Sequence, residues 1–200
     1  MALGKTTVSM PIGMVKSYFF PISSEPASAK AVYGEKLDLG PAVKGYLSIT
    51  TVTGSVPGDD MVQVEAEFFD SGQLDAETTL DELDINAKIY GHTYTEEGGE
   101  VSNADDAAPS GGYAFIQSIL RKDKSIIYRA TCLHKVQAIQ SSEKQEADTR
   151  KRGEFSPKNA VVSYKITQDA QRNWRTRKQF ATLAEAEQFI ATFYAPAMGG

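Results

Sequence analysis

One cysteine in 200 residues excludes an internal disulfide, and nothing in the chain points to an oxidising compartment. Histidine is as scarce. His92, His134 and Cys132 make up the whole nitrogen and sulfur donor set, too small for a closed zinc site. No stretch approaches the roughly 18 consecutive apolar residues of a membrane-spanning helix, so no membrane anchor is expected. The start, MALGKTTVSMPIGMV, lacks a charged segment followed by an apolar run and does not read as a signal peptide. Asn86, Asn103, Asn159 and Asn173 all lack a Ser or Thr two positions on, which excludes a glycosylation acceptor. A phosphate-cradling glycine loop is also missing: Gly4-Lys5-Thr6 has no upstream glycine and no strand before it. These absences fit a protein that folds in a cytoplasm.

What is present is a strong charge asymmetry beneath a modest net charge of −5. Residues 59–106 carry fifteen acids against one lysine, whereas residues 121–180 carry fifteen Lys and Arg against six acids. Two readings follow. Neighbouring strands of one subunit can carry complementary surface charge. Alternatively the subunit is polar, and its acidic part meets the basic part of the next copy, where complementary potentials steer association and fix register.

Period-two alternation dominates the middle of the chain. Val62, Val64, Ala66 and Phe68 alternate with Gln63, Glu65 and Glu67, a strand with one dry and one wet face. Further strands are expected over 14–22, 44–53, 75–83, 113–120, 125–139, 160–167 and 174–179. The polar tetrapeptide 121–124 and the stretch 168–173 each read as a hairpin turn. Within 125–139, Tyr128, Ala130, Cys132, Val136 and Ala138 are expected on one face, opposite Arg129, Thr131, Lys135 and Gln137. Residues 51–60, 68–74, 91–112 and 140–153 read as loops, the first three rich in glycine or acid and the last highly charged. Thr182-Leu183-Ala184-Glu185 is a capping box. Ala186, Phe189, Ile190, Phe193 and Tyr194 follow it on one helical stripe, which Pro196 and the closing glycines end. A shorter helix over 85–90 is closed by Gly91. The sum is a single mainly-β domain over 1–200, flexible over about 1–12, with one packed C-terminal helix over about 182–195.

Candidates for chemistry are few. Cys132 and His134 share a strand face, as a nucleophile and base would, but Tyr128, Ala130 and Val136 around them read as core. The acids of 59–106 lack the alternating spacing of a calcium loop. The basic run Arg172-Asn173-Trp174-Arg175-Thr176-Arg177-Lys178 has the composition of a nucleic-acid patch, and equally that of a solvated hairpin face. No catalytic, cofactor-binding or metal residue is assigned. The expectation is a structural protein, not an enzyme.

Ala87-Lys88-Ile89-Tyr90-Gly91-His92-Thr93-Tyr94 is followed by a Gly/Glu stretch, then Asp106-Ala107-Ala108-Pro109 and the strand Tyr113-Ala114-Phe115-Ile116. Upstream stands Phe69-Asp70-Ser71-Gly72, an aromatic-Asp-x-Gly sequence. In this order, over about 37–166, the set resembles the major tail proteins of long-tailed bacteriophages of Gram-positive hosts. That resemblance implies that Phe69-Asp70-Ser71-Gly72 is a corner between two strands. Ser110-Gly111-Gly112-Tyr113-Ala114-Phe115 has more glycine than that pattern, and the C-terminal helix lies outside it.

The resemblance implies an antiparallel β-sandwich or barrel of the tail-tube type with a helix on its flank. Six subunits would form a ring, and rings would stack into a tube in the virion tail, assembled in the host cytoplasm. The partners implied are further copies of the chain, a tape measure protein, other tail proteins, and genomic DNA passing through the lumen without specific binding. A tail terminator or tip protein of the same fold is the nearest alternative, and a small-ligand β-barrel module is a more distant one. Gln63, Glu65, Glu67 and Glu77 are the candidates for the tube lumen, where a negative wall would let DNA slide. Asp59, Asp60 and Asp70 are candidates to meet Lys144, Arg150, Lys151 and Arg152 between rings.

Overall fold

The computed structural model describes residues 9–58, 61–142 and 159–195, with side chains throughout except at 55–58, 61–65 and 142. The elements in order are β1 (Ser9–Ser24), β2 (Val32–Tyr33), β3 (Leu37–Gly58), β4 (Met61–Thr78), α1 (Leu83–Tyr90), β5 (Thr93–Thr95), β6 (Gly99–Val101), β7 (Ser110–Arg121), β8 (Ile126–Ala138), β9 (Ala160–Thr167), β10 (Arg175–Phe180) and α2 (Leu183–Tyr194). The class is mainly β and antiparallel, as the alternation predicts. β1 already begins at Ser9, inside the stretch expected to be flexible.

The pairings close on themselves. β1 lies between β3 and β7, β3 pairs with β4, β4 with β9, β9 with β8, and β8 with β7, every pair antiparallel. The result is a six-stranded barrel, whose interior side chains fill as a small barrel must. Phe19, Leu74, Tyr113, Leu133, Tyr164 and Ile166 form that interior, each almost fully buried. α1 plugs one end with Ile89 and Tyr90, and Gly91 closes the helix at φ +81. A Cβ there would stand 2.2 Å from the Ala107 carbonyl oxygen, so only glycine fits both the backbone and the space.

A second cluster lies outside the barrel wall, where α2 and Tyr33 of β2 cover β1, β7 and β8. The capping box forms as expected, with Thr182 Oγ1 accepting from the Glu185 amide and the Glu185 carboxylate accepting from the Thr182 amide. Ala186, Ile190 and Tyr194 are buried, with Phe189 and Phe193 packed at the margin. Tyr194 stacks on Phe20 at a centroid distance of 4.0 Å, and its hydroxyl donates towards the Tyr113 and Leu133 carbonyls. This close seat requires a glycine beneath it: a Cβ on Gly112 would lie 2.2 Å from the Tyr194 ring.

β8 changes partner along its length. Residues 128–133 pair with β10, and residues 135–138 pair with β9. The changeover is a bulge. Tyr113 faces Leu133 while Gly111 faces Val136, so two steps along β7 match three along β8. The bulge corrects the expected face: Ala130 and Cys132 point to α2, whereas Val136 and Ala138 point into the barrel. It also removes the expected hairpin of residues 160–179, since β10 pairs with β8 and not with β9.

Other expectations are corrected in the same way. Residues 51–58 and 68–74, read as loops, belong to β3 and β4. Phe69-Asp70-Ser71-Gly72 is no corner but a bulge inside β4, where Thr50 faces Ser71 and Thr51 faces Phe69. Residues 79–82 leave the expected strand 75–83 and lead into α1. Within 91–112, β5 and β6 form a small hairpin, stitched by His92 Nδ1 to Glu100 Oε1 at 2.8 Å.

Candidate functional site

β3 and β4 continue well past the barrel. β9 leaves β4 at Gly72, and β1 pairs with β3 only as far as Pro41, yet β3 and β4 stay paired out to Gly58 and Met61. The distal part is a two-stranded ribbon of about ten residues per strand, roughly 33 Å at the usual rise. A two-stranded hairpin alone is marginal in water. One of its faces carries exposed apolar side chains: Val52 and Phe68 lie directly opposite each other, 55% and 61% exposed, and Tyr46, 63% exposed, stands on the same side of β3 where it adjoins the barrel wall. The sequence marks this strand as having a dry face; among the described residues Val52 and Phe68 stay more than half exposed.

The bulge at Asp70 decides where the lumen candidates point. Leu74 and Ala76 face the barrel interior, so Glu77 faces outward, where it accepts a hydrogen bond from Asn159 Nδ2 at 2.7 Å. Beyond the bulge Phe69 takes the interior side and stacks on Trp174 at 4.5 Å, which puts Glu67 on that side too. Glu67 and Glu77 therefore stand on opposite faces, contrary to the single wet face expected. Gln63 and Glu65 lie on β4 at positions whose side chains are outside the described set. Of the expected ring-to-ring contacts, Asp70 is exposed and accepts from Ser71 Oγ at 3.0 Å. Asp59, Asp60, Lys144, Arg150, Lys151 and Arg152 lie outside the described residues.

The Cys132–His134 pairing does not form, because the bulge separates their environments. Burial pushes the Cys132 thiol up to about 12, so it is held as an inert thiol. His134 instead bridges three elements. Its Nδ1 meets Asp169 Oδ2 at 2.8 Å, its Nε2 meets Thr176 Oγ1 at 2.9 Å, and its ring sits edge-on to Phe193. The other Asp169 oxygen accepts from the Gln171 and Asn173 amides and so shapes the turn into β10. The hydroxyl–imidazole–carboxylate order resembles a hydrolytic triad, but neither His134 nor Thr176 lines a described cavity. Its evident work is to fasten the turn, β10 and α2 to the β8 bulge. Among the described residues no group of three or more His, Cys, Asp or Glu is placed to hold a metal ion.

A cleft of about 240 Å³ opens at the barrel mouth remote from α1. Met14, Leu47, Leu74 and Phe115 form its floor, while Gln117, Thr131, Arg175 and Arg177 form its polar side. Arg177 also joins Arg129 and Lys178 around an adjoining shallow recess. Pairing of β10 with β8 sets Arg177 opposite Thr131 and diagonal to Arg129, and this brings together arginines 48 residues apart in the chain. No described carboxylate lies within ion-pair distance of Arg129, Arg175 or Arg177. Burial and the charge of Arg177 both work against the protonated guanidinium of Arg175 and of Arg129. The basic run was legible in the sequence; the cleft was not, because it depends on register.

No described helix is long and apolar enough to cross a membrane. Compared with protein-family models and with curated proteins, the chain finds no match.

Proposed function

We propose that this chain is the repeating subunit of a homopolymeric tube, the major tail protein of a long-tailed phage, with a structural and not a catalytic role. The observation that carries the reading is the β3–β4 ribbon, whose outer face presents Val52 and Phe68, in line with Tyr46 on the adjoining barrel wall, all three more than half exposed among the described residues. Exposed apolar groups of this size mark a contact surface, and a projecting ribbon has two open edges that another chain can pair. Val43 and Val161, also exposed, extend apolar surface onto neighbouring β3 and β9. The ordered motif set in 37–166 and the closed barrel accord with the tail-tube reading. In that role the protein belongs to the virion, meets tape measure and other tail proteins, and surrounds DNA without binding it specifically. A terminator or tip protein of the same fold would form one ring and stop. A small-ligand module draws less support, since side chains fill the barrel and the mouth cleft is below the usual size of a ligand pocket.

Negative-stain microscopy of the concentrated protein should show tubes, or six-fold rings at lower concentration. Replacing Tyr46, Val52 and Phe68 together by serine should abolish both while leaving the melting temperature of the subunit near that of the parent. Parent protein that stays monomeric at every concentration would overturn the reading. Tubes formed by the triple variant would remove the ribbon as its basis.

A further inference from the structure

The two ends of the barrel differ in a way the ribbon does not explain. The cleft meets β1 at Met14, β4 at Leu74 and β7 at Gln117. The α1 end lies further along the same strands, at Thr78 and the start of β9, beside Ile89. One mouth is therefore cationic with an apolar floor, and the opposite mouth is closed by a helix that starts Leu83-Asp84 after Asp81-Glu82.

We propose that the arginine-rimmed cleft of one copy receives the start of α1 from a second copy, with Leu83 on the apolar floor and the flanking carboxylates on Arg129, Arg175 and Arg177. This deepens the assembly reading and rests on it. Four observations support the fit. Leu83 is 50% exposed on the first turn of a helix whose other apolar residues are packed inward. Glu82 occupies the N-cap position yet makes no capping hydrogen bond, so its carboxylate is free to leave the subunit. On the receiving side, Thr131 lines the cleft beside Gln117 and adds a hydroxyl to its polar side. The arginines carry only donors and Gln117 adds an amide N–H pair, which complements a carboxylate that a guanidinium binds through paired bonds.

A contact between unlike ends of identical subunits repeats without closing, and it gives the stack a direction.

The test is a charge swap in the full chain. Arg129→Glu with Arg177→Glu reverses the cleft, and Glu82→Lys reverses the helix start while leaving Asp81, which accepts from Asn86 Nδ2 at 2.8 Å. Arg177→Glu alone is the companion variant, since that side chain is exposed and makes no ring contact. Each reversed protein should melt like the parent and lose tubes, and the chain carrying both reversals should regain them. Tubes from either reversed protein alone would overturn the helix-in-cleft contact and leave the ribbon-based reading standing. Lost tubes without recovery in the combined chain would also overturn it. If the arginine variant keeps its tubes but loses retention of duplex DNA that the parent shows, the cleft belongs to phosphates and the proposal falls. A parent that never assembles overturns the assembly reading itself.

Discussion

His134 illustrates what a single extra residue in a strand can do. At the β8 bulge its backbone amide reaches the Trp174 carbonyl at 3.0 Å, and its ring reaches Asp169 and Thr176. Burial lowers its pKa from the ordinary 6.5, against the opposing pull of Asp169. The sign follows from linkage. Below about 6.5 the unfolded chain takes up a proton that the folded state resists, so the stability contributed is present above that value and falls as pH drops through the folded pKa. Thermal melts followed by circular dichroism should shift to lower temperature between pH 7 and pH 5. A His134→Gln variant should show a flatter profile over the same window. Equal slopes for the two proteins would mean that His134 is not the group responsible.

α2 gives the corresponding case for an element. Its inner stripe predicts unequal costs along one helix face. Ile190 is 1% exposed in the cluster beneath the helix, so Ile190→Ala should cost about 2–5 kcal/mol by lost transfer and cavity terms. Phe189 lies half-buried against Phe180, and its replacement by alanine should cost less. Urea unfolding of the two variants gives the comparison, and equal losses would show that α2 is seated differently. This helix was legible from the capping box and stripe because both signals are local. The strands from 160 and 113 onward were legible for the same reason. What failed was everything the bulges control. Alternation runs unbroken through His134 and stops at Phe68-Phe69 before Asp70 in the sequence, so neither bulge shows there, yet each moves the residues beyond it to the other face. Gly54 and Pro57 read as strand breakers, but a two-stranded ribbon tolerates them. The cleft was hidden for a related reason: Arg129 and Arg177 become neighbours only once β10 chooses β8 over β9.

At the scale of the whole molecule the two barrel ends differ: Asp81, Glu82 and Asp84 stand at the α1 end, Arg129, Arg175 and Arg177 rim the opposite mouth, and the ribbon with Glu67 and Asp70 projects past that mouth.

Closure of the barrel has a kinetic consequence. Lys16 pairs with Ile116, and Gly72 with Ile166, so about a hundred residues must be looped before either seam forms. Folds dominated by such distant pairings reach the native state in milliseconds to seconds, not microseconds. Trp174, the single tryptophan, stacks on Phe69 across that seam, and its fluorescence in a stopped-flow refolding experiment should report closure on this slower scale. The ribbon is a local hairpin and needs no such loop. A newly made chain can therefore display the exposed apolar side chains of the ribbon before its barrel has shut. Dilution, and not any feature of the finished subunit, would then keep half-folded chains from capturing one another.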